Sequence, residues 1–561
     1  MVKKIFSIFN REFNINQAAL LLGFFAIISQ ILGLLRDRSL AHFLGPSSTL
    51  DIYYAAFRVP DFIFISIASL ASFTVLIPFL IDKLKGGENH DEAHKFLNNI
   101  FSTFLIVMIL SSIIAYFLMP YLSRVIAPGF SEPMIDKVVL LSRIMLLSPI
   151  FLGLSNLLGT VTQIFNKFFI YALSPVFYNA GILFGVLVFY PLWGIKGLAF
   201  GVALGALLHF IIQLPVIIRH HFLPRFSFNI NFKQIWEVII LSFPRTLGLA
   251  FNNLSIIIIL AMASLISEGS ISIFNFSLNL QTVPLTVIGV SYSVAAFPTL
   301  ARLFSQNERS VFIDKIISAA RVMIFWSLPI TFLFIVLRAQ IVRTILGTGR
   351  FSWSDTKLTA ATLALFAISL LAQGLILLLV RGYYAAGRTR RPLIINFIFS
   401  FFTVILSYGL IQLFNNSPMI QYFFETALRV DNLDGSVIMM LPLAYSLGTI
   451  LNLIVLWTLF KKDFLDAQVS YLTKSFFEAL GSSFVIGIVA YKFLGVFSKI
   501  FDLETFRGIF LQGLFSGLLG IIAGAIILKL IKNEELESLI RAFKTKFWQT
   551  KVIVASQDDL K

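Results

Sequence analysis

Arg36, Asp37, Asp51, Arg58 and Asp61 stand close together in a chain whose charged residues make up only 13% of the total. Such a set can hold a polar or anionic group. Arginine offers a charged, two-pronged match to phosphate or carboxylate oxygens, and the acids can orient the arginines or gate them. Bond cleavage has no comparable support. There is no cysteine, which removes thiolate metal sites and cysteine nucleophiles. No Ser/His/Asp set and no Walker phosphate loop occurs. His90 and His94 frame an Asp-Glu-Ala stretch, but the order is not that of a zinc protease, and the stretch reads as a solvated loop. The chemistry expected is recognition and movement, with no metal and no cofactor.

Helical geometry sharpens the set. Gln30, Gly33 and Asp37 lie at i, i+3 and i+7 on one face, with Arg36 and Arg38 about 100° to either side of Asp37. Arg38 projects away from Arg36 and is expected to tolerate change better. Asp51 and Arg58 are seven residues apart and nearly eclipsed. Pro60 then frees the carbonyl of Ala56 and should bend the second helix, so that Asp51 and Arg58 line an outward gate. A charge facing lipid costs several kcal/mol, so these groups should face a polar cavity or one another. Arg143, Arg245 and Arg381 read instead as structural or interface residues.

The elements that must position these residues are membrane spans. Hydrophobic residues make up 58% of the 561, phenylalanine alone supplies 61, and mean hydropathy is +0.89. The apolar residues come in blocks of about 20, the length of a helix crossing a hydrocarbon core. Fourteen spans are expected, at approximately 17–45, 51–81, 97–119, 136–160, 170–190, 194–217, 236–264, 271–301, 317–337, 358–386, 392–413, 436–460, 475–494 and 506–530. The net charge of +16 sits mainly in short loops and the tail. It therefore suggests topology and anionic lipid rather than nucleic acid. Lys3, Lys4, Lys83, Lys85, Arg219, Arg225, Arg388, Arg390, Arg391, Lys461 and Lys462 all fall on one side if both termini are cytoplasmic. Arg338, Arg343 and Arg350 fall on the other side, where 338–350 reads as an interfacial helix with snorkelling arginines.

The chain also repeats itself. Pro175 and Asn179 of span five recur as Pro392 and Asn396 of span eleven, and Pro60 and Pro78 of span two as Pro284 and Pro298 of span eight. The offsets are 217, 224 and 220 residues. Repeats of the same sense, six helices apart, imply two parallel bundles. The expected layout is a cytoplasmic 1–16, an N-lobe at 17–218, a C-lobe at 234–461, an appended pair at 475–531 and a basic amphipathic tail at 533–561. Gly197, Gly201 and Gly205, and likewise Gly513, Gly517 and Gly520, read as helix-packing surfaces.

Ser29-Gln30-Ile31-Leu32-Gly33-Leu34-Leu35-Arg36-Asp37 resembles the first-helix signature of the MurJ (MviN) lipid II flippases. Ala55-Ala56-Phe57-Arg58-Val59-Pro60-Asp61 resembles the second, and Gln281-Thr282-Val283-Pro284 through Ala296-Phe297-Pro298 the eighth. The resemblance implies the two-lobe fold of the multidrug/oligosaccharidyl-lipid/polysaccharide exporters. It also implies a central cavity that includes Arg36, Asp37, Asp51 and Arg58, with Gln30, Asp61 and Asn279 beside them. Pro60, Pro284 and Gly33 become hinge or packing positions, and the last two helices a groove for a lipid tail. The implied substrate is undecaprenyl-diphosphate-linked lipid II, moved outward across the bacterial inner membrane by a non-enzymatic flippase, with cell-wall synthesis machinery as a partner. Arginines usual in the family are replaced by Gln30, Phe64, Ile65 and Asn279. That leaves a flippase for another lipid-linked oligosaccharide, of capsule or O-antigen type, as the near alternative, and a cation-coupled drug exporter as the remoter one.

Overall fold

In a bilayer every backbone N–H and C=O must be satisfied within the protein, and a run of about 20 apolar residues does this as a helix. The computed structural model describes residues 15–68, 76, 79–80, 83, 91–165, 167–228, 230–464 and 470–548, and these are helical with no strand. In order they are α1 (Ile15–Phe43), α2 (Ser48–Ala56), α3 (Arg58–Ala68), α4 (Asp91–Ile126), α5 (Glu132–Met145), α6 (Leu147–Ile164), α7 (Phe168–Phe184), α8 (Tyr190–Trp193), α9 (Ile195–Ile211), α10 (Leu214–Arg219), α11 (Phe232–Ser264) and α12 (Ser270–Pro284). There follow α13 (Ser291–Ser305), α14 (Arg309–Val336), α15 (Arg338–Leu346), α16 (Trp353–Ala367), α17 (Leu370–Ala385), α18 (Arg390–Asn416), α19 (Pro418–Leu428), α20 (Met440–Phe464), α21 (Ser470–Phe497), α22 (Phe506–Leu530) and α23 (Glu534–Trp548).

Eleven described helical runs, or twelve if α16 and α17 form one broken span, are long and apolar enough to cross a membrane. With α1 and the α2–α3 pair in the places of the first two spans, this is the expected all-α polytopic architecture. Residues 1–14, Ser69, Pro78, Lys85, His90 and 549–561 lie outside the described residues, and so does the side chain of Arg245. His94 is not in a loop: it belongs to the first turn of α4, and its ring stacks on Phe222 at 4.2 Å.

Packing divides the chain into two compact units made of non-consecutive segments. The first comprises Met1–Val283, Val342–Ser369 and Gly387–Leu456. Here α7 and α9 pack backbone to backbone: a Cβ on Gly181 or Gly185 would collide with the main chain of Gly205 or Gly201. In lipid there is little hydrophobic gain between helices, so this close approach supplies the dispersion contact that holds them. Serine hydroxyls finish the helix ends, as where Ser47 Oγ accepts from Leu50 N at the start of α2.

The second unit comprises Pro284–Ile341, Leu370–Ala386 and Trp457–Lys561. Ile324, Leu328 and Ala479 form a buried knot where α14 meets α21. Gly520 and Gly524 of α22 sit against Ile486 of α21. Below this pair α23 folds back. Leu536 is buried with Phe325 and Leu528, and the Arg321 guanidinium reaches Glu534 at 2.5 Å and Glu535 at 2.7 Å. The start of the tail helix is thus docked on protein rather than laid on lipid. The reason is that its Glu534–Glu535 pair meets an arginine inside an apolar run, a charge that must be matched.

Two connections carry helices. Residues 338–346 form the expected short helix, with Val342 and Leu346 buried, and Arg343 donates to Phe351 O at 3.1 Å and stacks on Trp353. The interval 414–435, passed over as a loop, contains α19.

Candidate functional site

Helix two is broken where the sequence places its proline. α2 ends at Ala56, Phe57 is the turn, and α3 begins at Arg58 with Pro60 in its first turn. Proline has no N–H to give the carbonyl of Ala56. That oxygen instead accepts from Ser142 Oγ of α5 at 3.0 Å. The break therefore has a satisfied backbone and fixes Asp51 and Arg58 on separate helices.

Neither residue pairs with the other. Asp51, 2% exposed, accepts from Gly269 N (2.7 Å), Ser272 N (2.8 Å) and Ser272 Oγ (2.6 Å). These groups open α12, so the carboxylate caps a helix N-terminus from another part of the chain and meets its partial positive charge. Arg58 donates from Nη2 to Asn275 Oδ1 at 2.6 Å. Its Nε and the Tyr54 hydroxyl are buried without a hydrogen-bond partner among the described residues. Asp61 lies within electrostatic reach of Arg58 and Arg36, and its N–H donates to Phe57 O at 2.9 Å.

On α1, Asp37 is 3% exposed. It takes Arg36 Nε at 2.9 Å on one oxygen and Asn279 Nδ2 at 3.0 Å on the other. Arg36 also donates to Asn179 Oδ1 at 3.4 Å. Asn179 in turn donates to Ser29 Oγ at 3.1 Å. Gly33 faces this asparagine: a Cβ there would meet only Asn179 Oδ1, at 4.0 Å. Gln30, on the same face of α1, is half-buried. Arg38 is not idle. It donates to the carbonyls of Thr344 (2.7 Å) and Ile345 (3.0 Å), placing a cation at the C-terminus of α15.

The partners on α12 form a row. Ser272, Asn275 and Asn279 are spaced i, i+3 and i+7, one face of a helix, and they take Asp51, Arg58 and Asp37 in turn. Around the same end, Ser48 N donates to Glu268 Oε1 at 2.8 Å, and Arg350 N to His42 O at 3.0 Å. The result is a polar seam. Arg58 and Asn275 are 217 residues apart and Asp51 and Ser272 221, so the seam ties the second expected span to the eighth, whose proline offsets are 224 and 220.

Among the expected site residues, the seam gathers Arg36, Asp37, Asp51, Arg58 and Asn279. Pro284 lies apart from them. It ends α12 and leads into a wide helical turn, Leu285–Val290, beside a narrow crevice lined by Ile288, Ser327 and Leu370. Asn179, Ser272, Asn275 and Ser142 were not singled out as site residues. Only Asn179 had a signal, its place in the Pro175 repeat. No group of three or more metal-ligating side chains occurs among the described residues.

A family model described as lipid II flippase MurJ matches residues 40–511. A probable lipid II flippase MurJ of Buchnera aphidicola subsp. Schizaphis graminum is 28% identical over 415 residues, 72% of this chain and 80% of that one. One from Thermotoga maritima is 27% identical over 504 residues, covering 86% and 96%. A solved lipid II flippase MurJ in an inward closed conformation superposes with a TM-score of 0.73 at 22% identity, over 92% of this chain and 100% of that one. An inward-facing multidrug transporter of the MATE family and MOP superfamily gives 0.61 at 13% identity, covering 81% and 99%.

Proposed function

The chain belongs to the MurJ lipid II flippase family, and on that premise we propose that it carries lipid II from the inner to the outer leaflet of the bacterial inner membrane. Lipid II has two incompatible halves, a charged diphosphate-sugar head and a long apolar tail. Arg36 and Arg58 would meet the head in a central cavity, and α21 and α22 would hold the tail in a groove. The observation that carries the reading is the seam. Arg58 of α3 is held by a neutral acceptor on α12, the amide oxygen of Asn275, so a substrate oxygen can replace that group without leaving an opposite charge behind.

With both termini in the cytoplasm, the seam closes the outer side and the cavity opens inward. The segments 17–218 and 234–461 would then rock as lobes, parting Asp51 from Ser272 and Arg58 from Asn275. Such movement of a charged wall lets the membrane potential contribute, at roughly 2.3 kcal/mol per charge per 100 mV. In this reading the chain acts as a transporter that moves its substrate unchanged. Anionic lipids would engage the later, basic part of α23, and cell-wall synthesis enzymes would take the product.

A second reading rests on the residues Gln30, Phe64, Ile65 and Asn279, where a cation would strengthen diphosphate binding. Fewer cations suit a flippase for another lipid-linked oligosaccharide. Expression in a bacterium depleted of its own lipid II flippase separates the two. Restored growth without lipid II accumulating in the inner leaflet supports the first. Restored surface polysaccharide in a polysaccharide-flippase mutant, with no rescue of the depleted strain by inserted protein, transfers the reading to the second.

A further inference from the structure

Between α18 and the turn at Val430 lies a helix that the seam does not use. α19 presents Met419, Tyr422 and Phe423 at i, i+3 and i+4, which puts them on one face. They are 83%, 71% and 63% exposed, and no residue of the helix is buried. The polar residues lie roughly opposite. Gln421 Nε2 donates to Glu425 Oε1 at 3.1 Å, and the same oxygen accepts from Ser436 Oγ at 2.6 Å.

The connection that follows fixes the roll of this helix. Val430 N returns to Glu425 O at 2.9 Å, Thr426 Oγ1 donates to Asp431 Oδ1 at 3.0 Å, and Arg429 takes a left-handed φ of 60°. Gly435, at φ 79°, has no room for a Cβ against Ser267. The polar edge is thereby tied to the protein and the aromatic face turned outward. That face continues a lipid-facing one. α18 ends one residue earlier, and along it Ile398, Phe401, Ile405 and Tyr408 are exposed.

We infer that α19 is an interfacial helix whose Met419–Tyr422–Phe423 face lies in the headgroup layer of the bilayer, so that its partner is a lipid surface. Large contiguous apolar patches are rarely left in water, and tyrosine and phenylalanine suit a zone that is apolar on one side and wet on the other. Glu425 is the only charged residue on the helix. The attachment is therefore apolar and needs no anionic lipid, unlike that of a basic amphipathic helix.

The cysteine-free chain allows a direct test. Single variants Tyr422→Cys, Phe423→Cys and Gln421→Cys carry an environment-sensitive fluorophore, and the full-length protein is placed in phosphatidylcholine vesicles. Labels at 422 and 423 should be quenched at least about threefold more by spin labels near the lipid headgroup than by labels deep in the chains. Aqueous iodide should quench 421 more than either. Adding anionic lipid should leave the pattern unchanged. Iodide quenching at 422 and 423 equal to that at 421 would overturn the inference in favour of a water-facing surface. Shielding from both iodide and lipid labels would overturn it in favour of a protein partner such as a second copy.

Discussion

The seam along α12 and the clamp at the base of α14 solve the same problem in opposite ways. Both must match a charge held inside apolar protein. In the seam every tie to α12 joins a charged group to a neutral one: Asp51 to Ser272, Arg58 to Asn275, Asp37 to Asn279. In the clamp Arg321 faces two carboxylates, Glu534 and Glu535, with Ser475 Oγ donating to Glu535 at 2.6 Å. Separating a buried ion pair strands two charges, whereas parting a charge from an amide strands one, and water or a ligand can satisfy it. Parting the seam should therefore cost less than parting the clamp.

The largest effect should come from giving the seam a stranded charge. Asp37→Ala leaves Arg36 without its carboxylate and is expected to destabilise the protein by about 3–5 kcal/mol. Thermal unfolding in detergent measures it, together with loss of rescue in the depleted strain. Wild-type stability and full rescue would break the contrast at its strongest point. The double variant Arg36→Ala/Asp37→Ala should regain part of the loss.

Asp51→Ala removes the acceptor at the start of α12. Hydrogen bonds to a charged group are worth about 1.5–3 kcal/mol each. Even one such loss should raise the labelling rate of a cysteine placed at 278, beside the seam, roughly tenfold with a membrane-impermeant reagent. No change in labelling would mean that Asp51 caps the helix without holding the face closed.

Asn275→Asp sharpens the comparison by turning a seam tie into a clamp-like pair with Arg58. Transport should slow several-fold while the closed face becomes harder to label. Asn275→Ala should ease labelling instead, so the two variants are expected to differ in sign.

The smallest effect concerns the clamp and pH. Burial pushes the Glu535 carboxyl up, but the Ser475 hydroxyl and the Arg321 guanidinium outweigh it and hold the group below the usual range. A depressed carboxylate contributes its stability above the unfolded pKa and loses it as pH falls through the folded one. Docking of α23 should thus be constant near neutrality and weaken only in acid below about pH 4. Hydrogen exchange of residues 534–541 checks this. In Glu535→Gln that protection should drop by about 1 kcal/mol, because the exposed Glu534 still pairs with Arg321.

Which residues carry charge was legible in the sequence, because a charge within an apolar run stands out. What holds them was not. Ser272, Asn275 and Asn279 are ordinary in a polar-tolerant helix, and their partners lie over 200 residues earlier in the chain. The spacing of Asp51 and Arg58 reads as one face of one helix, but the break at Phe57 puts them on different helices. The bend itself followed from Pro60, but the hydroxyl that satisfies Ala56 comes from Ser142, which nothing local marks. Arg321 was passed over because its partners follow the last span, and α19 because its apolar face is too short to read as one.

The seam also limits what can stand on its two sides. Asp51 and Arg58 come from α2 and α3, and α12 meets them with neutral groups. An arginine in place of Asn275 would set two guanidiniums against each other, and an aspartate in place of Ser272 would do the same with two carboxylates. Like charges so placed repel. A given charge can therefore be written into this contact from one side only, and the facing position is left to a residue that is neutral or of opposite sign.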